Sequence, residues 1–177
     1  MNANLDQLEP FDDAGSVRVV VEATKGRRSK LKYGPSLRAF ALHHVIPAGS
    51  AFPLDFGFVP GTQGQDGDPL DVLVFADEPT PVGAIVAARL IGVIEATQQP
   101  QGKEAIRNDR ILAVARASDT YCDWNALEDV PESIVRGIES FFESYNAQRG
   151  VKFTILGRSG GERALQLIRE GQQAWRK

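Results

Sequence analysis

Three carboxylates fall within six residues at Asp66-Gly67-Asp68-Pro69-Leu70-Asp71, and the run passes directly into the apolar stretch Val72 to Phe75. Gly67 and Pro69 interrupt a helix and favour a tight turn, so the three acids are expected to converge instead of spreading along a surface. Convergence is costly, because like charges a few ångströms apart repel unless protons or cations neutralise them. Hard oxygen donors of this kind suit Mg²⁺, Mn²⁺ or Ca²⁺ better than zinc. An acidic turn that merely caps the next element is the plainer reading of an Asp-x-Asp pattern. It accounts less well for Asp71, which opens a run with the character of a buried strand, where an unpartnered carboxylate is expensive. An EF-hand loop fails at its sixth position, where the required glycine is Asp71. The spacing points to a metal site that serves phosphate chemistry.

These acids need a frame, and the flanking segments are rich in β-branched residues with Gly/Pro punctuation. Strands are expected over Val17 to Ala23, Lys30 to Tyr33, Leu37 to His43, Phe56 to Val59, Val72 to Phe75, Ala84 to Glu95 and Ile106 to Ala115. Short strands at this spacing predict a small barrel. The period then changes. From Pro131 to Arg149, the residues Ile134, Val135, Ile138, Phe141, Phe142 and Tyr145 share one helical face, with Asp129 as the expected cap and Pro131 as the first-turn proline. A short strand, Val151 to Leu156, leads to Ser159-Gly160-Gly161-Glu162, a capping-box pattern that opens a second helix through Trp175. Gln98 to Gly102 reads as a loop, and residues 1–16, polar and acidic without a period, read as an N-terminal arm on a single domain spanning 1–177.

Composition narrows the partners. A net charge of −3 and the absence of a basic stripe argue against nucleic acid and an anionic membrane. A lone cysteine, Cys122, allows no internal disulfide and fits a reducing compartment. No apolar run approaches the roughly 18 residues of a span, and the acidic N-terminus lacks signal-peptide character, so a soluble cytoplasmic protein is expected.

With its surroundings, the Asp66 to Asp71 cassette resembles the family I soluble inorganic pyrophosphatases. Val19-Val20-Val21-Glu22 is similar to that family's first strand with its glutamate, and Leu31-Lys32-Tyr33 to its lysine strand. Pro53-Leu54-Asp55-Phe56-Gly57-Phe58 is similar to its Pro-x-Asn-Tyr-Gly-Tyr segment, and Phe141-Phe142-Glu143-Ser144-Tyr145 to the helix that brings a tyrosine to the substrate. The cassette matches the metal signature unchanged. The resemblance implies an α+β fold, a five-stranded OB-like β-barrel with two flanking C-terminal helices. It also implies a homo-oligomer that hydrolyses inorganic diphosphate to two phosphates with Mg²⁺, Mn²⁺ or another divalent ion. Diphosphate is a polyanion that shields its phosphorus, so catalysis needs cations on its oxygens and an activated water. On that template Asp66 and Asp71 are metal ligands, Asp71 able to bridge two ions, and Asp68 is the base that orients or deprotonates the water. Lys32, Arg110 and Tyr145 bind phosphate oxygens, while Glu22 orders water from behind the ligands. Each has a plainer role taken singly: a solvated strand lysine, the last rung of a helix face, the guard of a strand edge.

Several positions depart from the family pattern. His44 stands where a substrate arginine belongs, and Phe52, Phe56 and Phe58 keep the area of tyrosines without their hydroxyls. Two lost phenol contacts correspond to roughly 10² to 10⁴ in phosphate binding. Lys103 and Asn108 occupy the places of two aspartates before Arg110, unless a bulge brings Asp109 into the ligand position or Glu104 reaches in. A neutral His44 above its ordinary pKa near 6.5 predicts anion affinity that strengthens below about pH 6.5. Two functions follow: a diphosphate hydrolase, with reduced rate or a shifted phosphoanhydride substrate, or a catalytically weakened paralogue that binds phosphate or metal or serves as a partner subunit. A nucleic-acid-binding OB domain is disfavoured by the charge.

Overall fold

The computed structural model describes residues 4–177. In chain order it contains β1 (Val17–Ala23), β2 (Ser29–Gly34), β3 (Ala39–Val45), β4 (Asp55–Phe58), β5 (Asp71–Phe75), β6 (Ile85–Pro100), β7 (Ile106–Arg107), β8 (Arg110–Ala115), α1 (Glu132–Ala147), β9 (Val151–Gly160) and α2 (Gly161–Trp175), with short 3-10 turns at Leu5–Gln7 and Leu127–Asp129. Neighbours run β1-β4-β5-β8-β6, and β6 pairs back onto β1, which closes a five-stranded barrel. Only β5 and β8 are parallel within it. The long β6 continues past the barrel to carry β7 and β9, and β2–β3 form a separate hairpin. This is the OB-like barrel with two helices that the sequence leads one to expect.

Alternation along the strands divides most of the apolar side chains between two large clusters, with a third, smaller one of Val20, Tyr33 and Phe58. Leu73, Phe75, Leu112 and Val114 pack with Val135, Ile138 and Phe142 of α1. Their neighbours Val72, Val74, Ile111 and Ala113 pack with Ala164 and Ile168 of α2. Strands buried on both faces read as continuous apolar runs, which is why β5 and β8 show little polar alternation. Gly57 permits the tightest approach in the barrel: a Cβ there would lie 2.1 Å from the Val20 carbonyl oxygen.

Several local expectations are corrected. Asp129 does not cap α1; its carboxylate accepts the backbone N–H groups of Asn125 and Ala126 at 2.8 and 2.9 Å, closing the preceding turn. Pro131 itself sits at the α1 cap position. Ser159 does not cap α2, because β9 continues to Gly160 against β6 and the Ser159 hydroxyl donates to Glu95 at 2.5 Å. β6 absorbs Gln98–Pro100 of the expected loop, and the strand expected over Ile106 to Ala115 breaks at Asn108 and Asp109. The expected N-terminal arm falls partly outside the described residues; from residue 4 onward it is docked, with Leu5 against Val20, Tyr33 and Phe58, and the Asp6 carbonyl accepting Gly61 N–H at 2.8 Å. No helix among the described residues is long and apolar enough to cross a membrane.

Candidate active site

The cassette is the loop between β4 and β5, and its shape follows from a few backbone constraints. Gly67 adopts φ +84°, a left-handed conformation that reverses the chain at little cost only in glycine. Gly64 N–H donates to the Asp68 carbonyl at 2.7 Å, and Asp68 N–H to the Asp66 carboxylate at 3.1 Å. The fully buried Thr62 pins the base of the loop, donating to the Val59 carbonyl at 2.6 Å and accepting Leu70 N–H at 3.1 Å. Asp71 then enters the sheet opposite Phe58.

The loop faces a cleft of about 290 Å³ into which Asp66, Asp68 and Asp71 project with Glu22 of β1, Lys30 and Lys32 of β2, Arg110 of β8 and Tyr145 of α1. The acids share the cleft but are held apart by different partners. Lys32 Nζ contacts both Asp68 carboxylate oxygens at 2.6 and 2.7 Å. Arg110 pairs with Asp71 at 2.8 Å, and Lys30 lies 3.8 Å from Glu22. The Asn108 amide donates to Asp66 at 3.1 Å, while its oxygen accepts from Arg110. Among the described residues no three His, Cys, Asp or Glu side chains come together as a group able to hold a metal. The expected convergence of three acids is thus corrected to a shared cleft with separate partners, because each charge is lowered in energy most by its nearest opposite.

The electrostatics nevertheless suit a hard cation. Burial pushes the Asp66 carboxyl above the usual carboxylate range, and the charges of Asp71 and Asp68 push it further. Burial also raises Glu22, against the pull of Lys30, with Asp71 adding to the rise. Facing oxygen donors that resist ionisation together are what a divalent ion relieves. Arg110 is 3% exposed, with its guanidinium over the Phe142 ring at 4.7 Å, so this charge is rooted in the α1 core.

Asp66, Asp68, Asp71, Lys32, Arg110, Tyr145 and Glu22 are therefore brought together, and two predicted site residues are not. His44 does not line the cleft: it meets the Tyr145 ring edge-on at 5.7 Å, and its buried Nε2 has no hydrogen-bond partner. Its neighbour His43 lines the cleft instead. The cause is a bulge: Lys30 pairs with His44 and Leu31 with Leu42, so His43 is the extra residue and its side chain is re-aimed. Burial, then the charges of Arg149 and Lys30, hold His44 below the ordinary histidine range. The expected strengthening of anion affinity below about pH 6.5 through this residue is withdrawn. Asp109 turns away, accepting Ala96 N–H at 2.9 Å and pairing with Arg107 at 2.9 Å, while Asn108 takes the cleft position. Lys103 and Glu104 are exposed in the turn after β6 and do not line the cleft, which removes the charge conflict expected from the lysine.

Polar cleft residues with no role expected from the sequence include Lys30, His43, Arg149, the amide of Asn108, Asp6 and Gln98. Strand period places Lys30 on the same face as Lys32, and helix period places Arg149 one turn beyond Tyr145, so both were legible. Nothing local marks His43.

A small closed barrel that gathers five carboxylates, Asp6, Glu22, Asp66, Asp68 and Asp71, and several bases around one cleft is suited to a hydrolase of phosphoanhydrides. The family model described as inorganic pyrophosphatase matches residues 19–176. The inorganic pyrophosphatase of Nostoc sp. (strain PCC 7120) is 33% identical over 173 residues, covering 98% of this chain and 99% of its own. That of Haemophilus influenzae is 34% identical over 171 residues, covering 95% and 94%. The crystal structure of the Thermus thermophilus inorganic pyrophosphatase superposes with a TM-score of 0.87 at 28% identity, covering 99% of this chain and 100% of that one. The chain belongs to the inorganic pyrophosphatase family and is a hydrolase of inorganic diphosphate; that family depends on divalent metal. Similarity over nearly the whole chain does not favour the weakened paralogue.

Proposed function

We propose that this cleft hydrolyses diphosphate with Mg²⁺ as the ion, held by Asp66 and Asp71. The ion, when bound, screens the diphosphate oxygens and acidifies water. Asp68 orients the attacking water and accepts its proton as the new oxygen–phosphorus bond forms and the bridging bond breaks, giving two phosphates. Lys32 grips Asp68 through both oxygens, which fixes the direction in which that base faces. Lys32 and Arg110 also neutralise phosphoryl oxygens, Tyr145 donates its hydroxyl, and Glu22 orders water behind the acids. Phe52, Phe56 and Phe58 wall the cleft with buried rings, which exclude water from the reacting groups.

The observation that carries this reading is the pairing of Lys32 with Asp68 beside Arg110 with Asp71 in one cleft. Phosphate release from diphosphate, measured with Mg²⁺, Mn²⁺ and Co²⁺ in turn, tests it. Asp68→Asn is expected to lower the rate by roughly 10² to 10⁴. A wild-type protein no faster than this variant with any of the ions overturns the assignment.

The same proposal places the protein in the cytoplasm, in keeping with its exposed free thiol Cys122, and as a homo-oligomer. Exposed Leu37, Leu42, Val45 and Ile85 at and beside the β2–β3 hairpin support assembly. Sedimentation of the purified chain distinguishes an assembly from a monomer.

A further inference from the structure

Four cationic side chains line the cleft among the described residues: Lys30, Lys32, Arg110 and Arg149. Three have a carboxylate within ion-pair distance, Glu22, Asp68 and Asp71 respectively, which they share with any phosphoryl group that enters. Arg149 is different. Its guanidinium has no carboxylate partner among the described residues and lies over the Tyr145 ring at 5.3 Å. Tyr145 is itself buried against Phe52 and Phe141, so the guanidinium rests on a fixed platform. Arg149 follows the C-terminus of α1, where the helix dipole favours a cation.

The cleft is therefore polar in a second sense. The cassette contributes acids with matched bases, while the α1 side presents an unmatched positive charge. That charge is felt locally: after burial, Lys30 and Arg149 are the main charges holding His43 below the ordinary histidine range, so this residue stays neutral and does not compete for anions near neutral pH. Diphosphate carries charge at both ends, and the phosphoryl group away from the cassette needs donors of its own. A planar guanidinium matches phosphoryl oxygens in a bidentate fork.

We propose that Arg149 is a substrate-binding residue that grips the phosphoryl group distal to the Asp66–Asp71 cassette, supplying from α1 the contact that His44 does not make from β3. This rests on the diphosphatase reading of the cleft. Arg149→Gln keeps the stem and removes the charge. The KM for diphosphate with Mg²⁺ is expected to rise about 10- to 100-fold, with kcat changed far less, and inhibition by inorganic phosphate to weaken in parallel. Arg149→Lys should recover part of the loss, and thermal stability should shift only slightly, because the side chain is exposed and its ring and helix-end contacts are weak. A KM and a phosphate inhibition constant within about twofold of wild type overturn the proposal, as does a KM rise that merely follows lost thermal stability. Calorimetric titration with inorganic phosphate and Mg²⁺ separates the two readings without turnover. A wild-type protein that binds phosphate through Arg149 but releases none from diphosphate refutes the hydrolase assignment and upholds the residue. An Arg149→Gln variant that hydrolyses and binds as wild type does refutes the residue and leaves the hydrolase standing.

Discussion

The two sides of the cleft are built to different standards. On the cassette side, Asp71 enters a barrel strand, Arg110 is buried on the Phe142 ring, and Asp71 and Asp66 have partners close by in Arg110 and Asn108, while Asp68 alone is held from across the cleft by Lys32 of the hairpin. On the other side, the β2–β3 hairpin lies outside the barrel and Arg149 beyond the end of α1, with exposed side chains and a bulge at His43. The departures from the family pattern follow that line only in part, since Phe56 and Phe58 lie in barrel strand β4 and Asn108 sits beside Asp66. The cassette is unchanged, while the histidine in place of an arginine falls on the hairpin. Groups that share a barrel wall are constrained by packing as well as by chemistry, because an error there is paid in fold stability. A contact delivered from a rim can be moved to another element.

The sharpest way to break this contrast is Asp71→Ala. It leaves Arg110 buried without its carboxylate, which is expected to cost about 3–5 kcal/mol of stability as well as to abolish phosphate release. Denaturant unfolding beside the activity assay reads both losses; activity lost with stability intact would show the wall to be no more constrained than the rim. The Asp68→Asn effect comes next and should leave stability nearly unchanged, since that pair is solvent-exposed. Asn108→Asp then tests the cleft's one neutralised position. A new carboxylate beside Asp66 is expected to tighten Mg²⁺ binding by about tenfold, read by calorimetry, and unchanged affinity would mean that Arg110 cancels the added charge.

The smallest effect is a matter of pH. Burial raises Glu22 above its ordinary value of 4.5, so the folded protein holds this proton more tightly than the unfolded chain. The stability it lends is complete below about pH 4.5 and is lost as the pH climbs through the raised folded value. Glu22→Gln has no such proton to lose. Its stability relative to wild type should therefore increase from pH 4.5 to pH 8 in the presence of a chelator, measured by urea midpoints; an equal difference at both values refutes the buried-acid account.

What could be learned from the chain alone follows the same physical division. Asp66 and Asp71 were legible from a glycine-centred turn that runs into an apolar strand, whereas Lys32 and Arg110 were reached only through the resemblance to the family, since a lysine or arginine on a strand is by itself ordinary. The helix face from Val135 to Tyr145 was legible from its period, though Ile134 proves 37% exposed. His44 and Asp109 were misplaced by a single step each, and both lie at irregularities of β pairing. A one-residue bulge exchanges the faces of neighbours, and its position depends on partner strands far away in sequence. Asp129 and Ser159 carried cap-like patterns that the backbone used for other bonds. Short polar side chains serve whichever donor is nearest once the tertiary fold is set.

The length of β6 has a consequence for how the molecule comes into being. Barrel closure joins β1 to residues 85–88, so the cassette loop is synthesised before the wall that completes it. Tyr145 and Arg149 follow only after every barrel strand, and β9, which covers the far half of β6, follows them. A nascent chain thus carries its acids before it owns the α1 side of its own cleft. The contacts from α1 are among the last it acquires, and a chain cut short after β8 would have a barrel with a bare β6 edge and a cleft without its α1 side.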